Sequence, residues 1–133
     1  MDSVRGRVLV VEDDPEINEL VGAYAQIAGF HYDAALNGTV ALSKAHDETP
    51  ALILLDVMLP DLDGFEVCRR LKSDQTTSRI PVIIFTALDR DEYRVRGQQC
   101  GAVAYMTKPF DPERLMETIR QVVLDNGCLT KEP

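Results

Sequence analysis

The sequence predicts a single α/β domain: a doubly wound, five-stranded parallel sheet in strand order 2-1-3-4-5, with helices on both faces. Three observations predict it. Strand-like and helix-like patterns alternate five times along 133 residues, a length that suits one domain and one core. The central strands are unbroken apolar runs such as Ala51-Leu52-Ile53-Leu54-Leu55, as expected where both faces of a sheet are covered. Four of the runs end on residues that carry chemistry, and in a parallel sheet the carboxyl ends of the strands line one crevice.

Each element has its own signal. Val8-Leu9-Val10-Val11 is the first strand and stops at Glu12-Asp13-Asp14. Asp14 caps the first helix, with Pro15 at its first position and Glu16 in its first turn. Ile17, Leu20, Val21, Tyr24 and Ile27 recur at helical spacing, and Gly29 closes the helix. Phe30 to Leu36 is a weaker strand, expected at a sheet edge, and Asn37-Gly38 turns the chain into a second helix carrying Val40, Ala41, Leu42 and Ala45. Pro50 precedes the strand that ends at Asp56. Asp63-Gly64 opens a third helix with Phe65, Cys68 and Leu71 inward and Arg69, Arg70 and Lys72 outward. Pro81 leads into Val82-Ile83-Ile84-Phe85, which stops at Thr86. The fourth helix, about Arg90 to Gln99, has few inward candidates (Tyr93, Val95) and is weakened by Gly97. Val103-Ala104-Tyr105-Met106 runs into Thr107-Lys108-Pro109. Asp111 caps a strong fifth helix with Pro112, Glu113, Leu115, Ile119, Val122 and Val123, which Gly127 closes. Residues 1–127 read as the domain and 128–133 as a polar tail or linker remnant.

Composition narrows the function. Fourteen Lys and Arg against 22 Asp and Glu give a net charge of −8, which argues against direct binding of nucleic acid or of an anionic membrane surface. No apolar run approaches a membrane span, and Met1-Asp2-Ser3-Val4-Arg5-Gly6 lacks the apolar stretch of a signal peptide, so a cytoplasmic location is expected. Cys68, Cys100 and Cys128 are far apart and outside any C-x-x-C pattern, and read as reduced thiols rather than a disulfide or zinc site. His31 and His46 sit away from the acid-bearing strand ends and read as surface or edge residues.

The strand ends would bring three acids, a hydroxyl and a lysine together. Glu12, Asp13 and Asp56 are hard oxygen ligands with no nearby histidine or cysteine, a set that selects Mg²⁺ or Mn²⁺ over zinc. Asp56 can accept a phosphoryl group covalently, Lys108 can compensate the added charge, and Thr86 can donate a hydrogen bond to it.

Val10-Val11-Glu12-Asp13-Asp14-Pro15, Asp56-Val57-Met58-Leu59-Pro60-Asp61-Leu62-Asp63-Gly64, Thr86-Ala87 and Lys108-Pro109-Phe110, at these spacings, resemble the receiver domain of two-component response regulators, chemotaxis receivers among them. The resemblance runs from Arg7 to about Asn126. It implies the flavodoxin-like receiver fold, Asp56 as phosphoacceptor, and Mg²⁺ arranged by Glu12, Asp13, Asp56 and the Met58 carbonyl. It further implies phosphoryl binding at Thr86, Ala87 and Lys108, a switch pair of Thr86 and Tyr105, and a cis Lys108–Pro109 bond. Tyr105 would turn from solvent toward the sheet when Asp56 is phosphorylated. The implied partners are a histidine kinase or phosphotransfer protein and a downstream output protein or domain, with the chain a monomer or weak dimer. Apart from self-phosphorylation from phosphodonors and slow self-dephosphorylation, no enzyme activity is expected.

Two departures from the family pattern stand out. Glu12 replaces the commoner Asp, and Val103-Ala104 replaces two acids that many receivers carry before the aromatic residue. The first leaves the chemistry in reach; the second alters the output surface. The rivals are a pseudo-receiver scaffold, a haloacid-dehalogenase-type phosphatase and a flavodoxin-like cofactor binder. The phosphatase would want an acid where Met58 stands, and the cofactor binder a hydroxyl-rich loop where Glu12-Asp13-Asp14 stands.

Overall fold

The computed structural model describes residues 6–131, with side chains described through residue 126. Elements alternate along the chain: β1 (Arg7–Val11), α1 (Pro15–Ile27), β2 (His31–Ala35), α2 (Gly38–Glu48), β3 (Leu52–Leu55), α3 (Gly64–Ser73), β4 (Val82–Thr86), α4 (Asp91–Gln99), β5 (Ala104–Thr107) and α5 (Pro112–Lys131). All strand pairs are parallel, in the order β2-β1-β3-β4-β5. β1, β3 and β4 are central, and apart from Arg7 at the start of β1 every one of their residues is buried. Alternate residues serve opposite layers. Val8, Val10, Leu54 and Phe85 pack under α1 and α5 with Val21, Ala25, Leu115 and Ile119. Leu9, Val11, Ile53 and Leu55 pack under α2 and α3 with Ala41, Ala45, Val67 and Leu71.

Caps fix where the helices start. Asp14 Oδ1 accepts the Glu16 and Ile17 N–H groups at 2.9 and 3.4 Å, Asn37 accepts Val40 N–H at 2.8 Å, and Asp63 accepts Phe65 N–H at 2.9 Å. Gly29, at φ 106°, takes the left-handed conformation that ends α1.

The inner face of α1 differs from the expected stripe. Leu20 and Ile27 are 49% and 68% exposed, while Asn18, Val21, Gly22 and Ala25 are buried. Asn18 is a buried tie. Its amide donates to the carbonyls of Val10, Glu12 and Ala35 at 3.1, 3.0 and 3.3 Å, and its Oδ1 accepts the Tyr32 hydroxyl. Each bond is worth on the order of 1 kcal/mol, and together they hold the carboxyl ends of β1 and β2 against α1. Gly22 makes room for the Tyr32 ring, which a Cβ there would meet at 2.4 Å.

Four further expectations are corrected. Val40 is on the exposed side of α2, where Ala41 and Ala45 face the sheet. Val95 is exposed, because α4 anchors instead through Tyr93 stacked on Phe65 with ring centroids 6.4 Å apart. Lys72 does not point into solvent: its stem is half-buried and its ammonium donates to the Ser78 and Ile80 carbonyls at 2.9 and 2.8 Å. Gly127 does not close α5, which continues to Lys131. The side chain of Cys128, residues 1–5 and the end of the polar tail lie outside the described residues.

At the β2 edge, Lys44 on α2 donates to Asp33 Oδ1 at 2.9 Å and to the Ala34 carbonyl at 2.8 Å, and Ala34 N–H donates to Asp33 Oδ1 at 2.9 Å. Among the described residues no helix is long and apolar enough to cross a membrane.

Candidate functional site

The carboxyl ends of β1, β3, β4 and β5 meet at one end of the sheet. Glu12 and Asp56 are buried there, 2% and 4% exposed, while Asp13 is open to solvent. One carboxylate oxygen from each of Glu12, Asp13 and Asp56 lies within 4.8 Å of the others. Lys108, at the end of β5, donates to Asp56 Oδ2 at 2.8 Å and to Glu12 Oε1 at 2.5 Å. Three carboxylates against one ammonium leave excess negative charge, and the donors are all hard oxygen. That set suits a hard divalent cation such as Mg²⁺.

Backbone bonds hold these side chains still. Asp14 N–H donates to Glu12 Oε2 at 2.9 Å, and Met58 N–H donates to Asp56 Oδ1 at 2.9 Å. Asp56 N–H donates to the Val11 carbonyl at 2.9 Å, and Lys108 N–H to the Thr86 carbonyl at 2.8 Å, so both of these side chains leave from paired backbone. The Lys108–Pro109 peptide is cis. Burial pushes the Glu12 carboxyl above its ordinary range, against the opposing pull of Lys108. Burial is also the largest single influence on Lys108, acting downward, but Asp56 and Glu12 together outweigh it and hold the ammonium above its usual value. Lys108 therefore stays charged at neutral pH.

Two features of the β3–α3 loop were not evident from the sequence motif. Gly64 N–H donates to the Val57 carbonyl at 3.0 Å, and a Cβ on Gly64 would stand 2.2 Å from Val57 Cα and 2.9 Å from the Asp56 carbonyl oxygen. Only glycine lets α3 start this close to the end of β3. Asp61 reaches the start of α2, accepting from Gly38 N–H, Thr39 N–H and Thr39 Oγ1 at 2.8, 3.0 and 2.7 Å. The Thr39 hydroxyl bond, with those N–H groups, holds its carboxyl down to about 2. The site loop is thus tied to a second helix.

Thr86 is fully buried, and its hydroxyl accepts Leu88 N–H only at a long 3.5 Å. Ala87 lies between them in the chain and is exposed. Tyr105 is partly buried. Its hydroxyl donates to the Leu88 carbonyl at 2.6 Å, and its ring lies against Gly97 of α4, where a Cβ would meet it at 3.0 Å. The glycine that weakens α4 as a helix is what admits the ring. Leu88 therefore touches both Thr86 and Tyr105.

Comparison with known proteins gives concordant matches. The family model for the response regulator receiver domain matches residues 8–120. The DNA-binding dual master transcriptional regulator RpaA of Synechocystis sp. is 40% identical over 117 residues, covering 88% of this chain and 48% of that protein. Response regulator PleD of Caulobacter vibrioides is 41% identical over 116 residues, covering 87% of this chain and 26% of that protein. The chain thus spans about half or less of these curated relatives. Among solved structures, a CheY-like response regulator receiver domain protein from Methanospirillum hungatei JF-1 superposes with a TM-score of 0.85 at 27% identity, covering 91% of this chain and 95% of that one. The Vibrio cholerae chemotaxis protein CheY4 gives 0.82 at 31% identity, covering 87% and 97%.

Proposed function

The chain belongs to the response regulator receiver family, and from that membership we propose that it is a phosphorylation-dependent signalling switch whose acceptor is Asp56. The observation that carries the reading is the convergence of buried Glu12 and Asp56 with exposed Asp13 and with Lys108 at the carboxyl end of the sheet, where β4 ends on buried Thr86. The phosphodonor is a histidine kinase or a phosphotransfer protein, and the unit that carries the function is residues 1–127.

A carboxylate oxygen of Asp56 attacks phosphorus. The new O–P bond forms as the bond from phosphorus to the donor atom breaks, and the donor leaves with that electron pair. Such transfer depends mainly on positioning and charge stabilisation, and both are built here. Glu12, Asp13, Asp56 and the Met58 carbonyl would hold Mg²⁺, or Mn²⁺ in its place, to offset the charge of acceptor and phosphoryl group. Lys108 moves its hydrogen bond from Asp56 to a phosphoryl oxygen. The Thr86 hydroxyl, held only by the long Leu88 contact, turns to donate to another. Leu88 then shifts, and with it the hydroxyl anchor of Tyr105 and the start of α4. The α4–β5 face meets the output partner or domain. Because Val103 and Ala104 offer no acids to Arg114 or Arg120, this face forms no charged dimer of the usual kind, and the protein stays a monomer or weak dimer.

Incubation with acetyl phosphate and Mg²⁺ tests the reading by intact mass. One phosphoryl group should be gained, and EDTA should prevent it. A chain that gains none from any small phosphodonor is a scaffold and not a switch.

The phosphorylated state should be long-lived. Hydrolysis needs a water held in line with phosphorus, and the residues two positions after Asp56 and after Thr86, Met58 and Leu88, are apolar and offer it no hydrogen bond. Met58→Asn combined with Leu88→Glu is expected to shorten the lifetime about tenfold, followed by loss of the phosphoryl mass with time. An equal or longer lifetime would count against this role for the pair.

A further inference from the structure

Two cysteines that lie 32 residues apart in sequence meet between α3 and the end of α4. Cys68 is fully buried on α3, and its Sγ donates to the Cys100 carbonyl at 3.3 Å. Cys100, the residue after α4, packs against the same apolar cluster as Cys68 but is partly exposed, and its Sγ donates to the Gly97 carbonyl at 3.3 Å. It opens onto a cleft of about 240 Å³ that Glu66, Arg69 and Arg96 also line. Both thiols are free.

We propose that Cys68 and Cys100 form a hydroperoxide-responsive dithiol, with Cys100 as the attacked sulfur and Cys68 as the resolving one, closing a disulfide that staples α3 to the C-terminal end of α4. The assignment of roles follows exposure: a peroxide in the cleft reaches Cys100 and not Cys68. The neighbouring Cys68 thiol holds the Cys100 thiol down to about 7, which favours Cys100 as the attacked sulfur, while the same pairing and burial push Cys68 up.

The steps balance. The Cys100 thiolate attacks one oxygen of the hydroperoxide. The O–O bond breaks, sulfur is oxidised to the sulfenic acid, and the peroxide leaves as an alcohol or, from hydrogen peroxide, as water after taking a proton from solvent. Cys68 sulfur then attacks Cys100 sulfur. The S–S bond forms, the S–O bond breaks, and hydroxide leaves as water with the Cys68 proton. That oxidation would restrain α4 as an output element rests on the functional reading above; the disulfide itself does not.

The test uses the full chain carrying Cys128→Ser, treated with hydrogen peroxide and analysed by intact mass, by alkylation and by non-reducing peptide mapping. The expected result is a monomer lighter by two hydrogens, with both thiols closed to iodoacetamide and the Cys68 and Cys100 peptides joined. Oxidation at pH 7 should run faster than for an unperturbed cysteine peptide, since the larger thiolate fraction is only partly offset by lower nucleophilicity. With Cys68→Ala added, dimedone should trap a sulfenic acid on Cys100. Dimedone labelling of Cys100 while Cys68 is present and free, a disulfide between two molecules, or two thiols still open to alkylation would each overturn the proposal. Phosphoryl incorporation, measured on the same protein, separates its failure from that of the switch.

Discussion

Asp56→Asn is expected to abolish phosphoryl incorporation while leaving the chain folded. The amide has no anionic oxygen to attack phosphorus, and no second carboxylate in the site is a substitute. Asp13 is exposed, and Glu12 becomes the sole carboxylate partner of Lys108 once Asp56 is an amide. The structural cost is small because the amide oxygen still accepts the Met58 N–H and Lys108 keeps Glu12 as its partner. Removing one of two buried acids that share a single lysine also relieves their repulsion, so the melting temperature should stay level or rise slightly. Intact mass after acetyl phosphate and Mg²⁺, read beside a thermal melt, decides the matter. A variant that melts normally yet still gains the phosphoryl mass would place the acceptor elsewhere.

Gly64→Ala is the structural counterpart. The added methyl meets Val57 Cα at 2.2 Å and the Asp56 carbonyl oxygen at 2.9 Å, both backbone atoms that cannot rotate away. Either α3 or the strand end carrying Asp56 must shift. Overpacking of this kind costs about 2–3 kcal/mol, and a displacement near 1 Å at a reacting group slows chemistry about a hundredfold. Urea unfolding with an unchanged slope, together with the rate of phosphorylation from acetyl phosphate, tests both. A stability loss below about 0.5 kcal/mol with an unaltered rate would mean that the loop relaxes freely.

The sheet and the polar residues at its carboxyl end were legible because the physics there is local. Apolar runs mark β1, β3 and β4, caps at Asp14, Asn37 and Asp63 mark helix starts, and each acid or lysine simply follows its strand. What the sequence concealed depends on neighbours distant in the chain. The buried face of α1 centres on Asn18 and Gly22, neither of which registers as hydrophobic, so the apolar stripe pointed partly to Leu20 and Ile27 instead. The reach of Asp61 to α2 and the meeting of Cys68 with Cys100 follow from packing across loops, which no spacing announces. α4 was the poorest element because its anchors are an aromatic stack and an arginine: Arg96 lies 4.2 Å over the Phe65 ring and pairs with Asp63 at 3.2 Å.

An open sheet ends in two strands with unpaired backbone, and any extended peptide of matching length can add itself there. At β2 that opportunity is withdrawn in mid-strand. The N–H and C=O of Ala34 that would face an incoming chain are already taken by Asp33 and Lys44. A newcomer would have to break an ion pair to gain two hydrogen bonds. The clasp therefore guards the β2 edge against strand addition and cross-β aggregation.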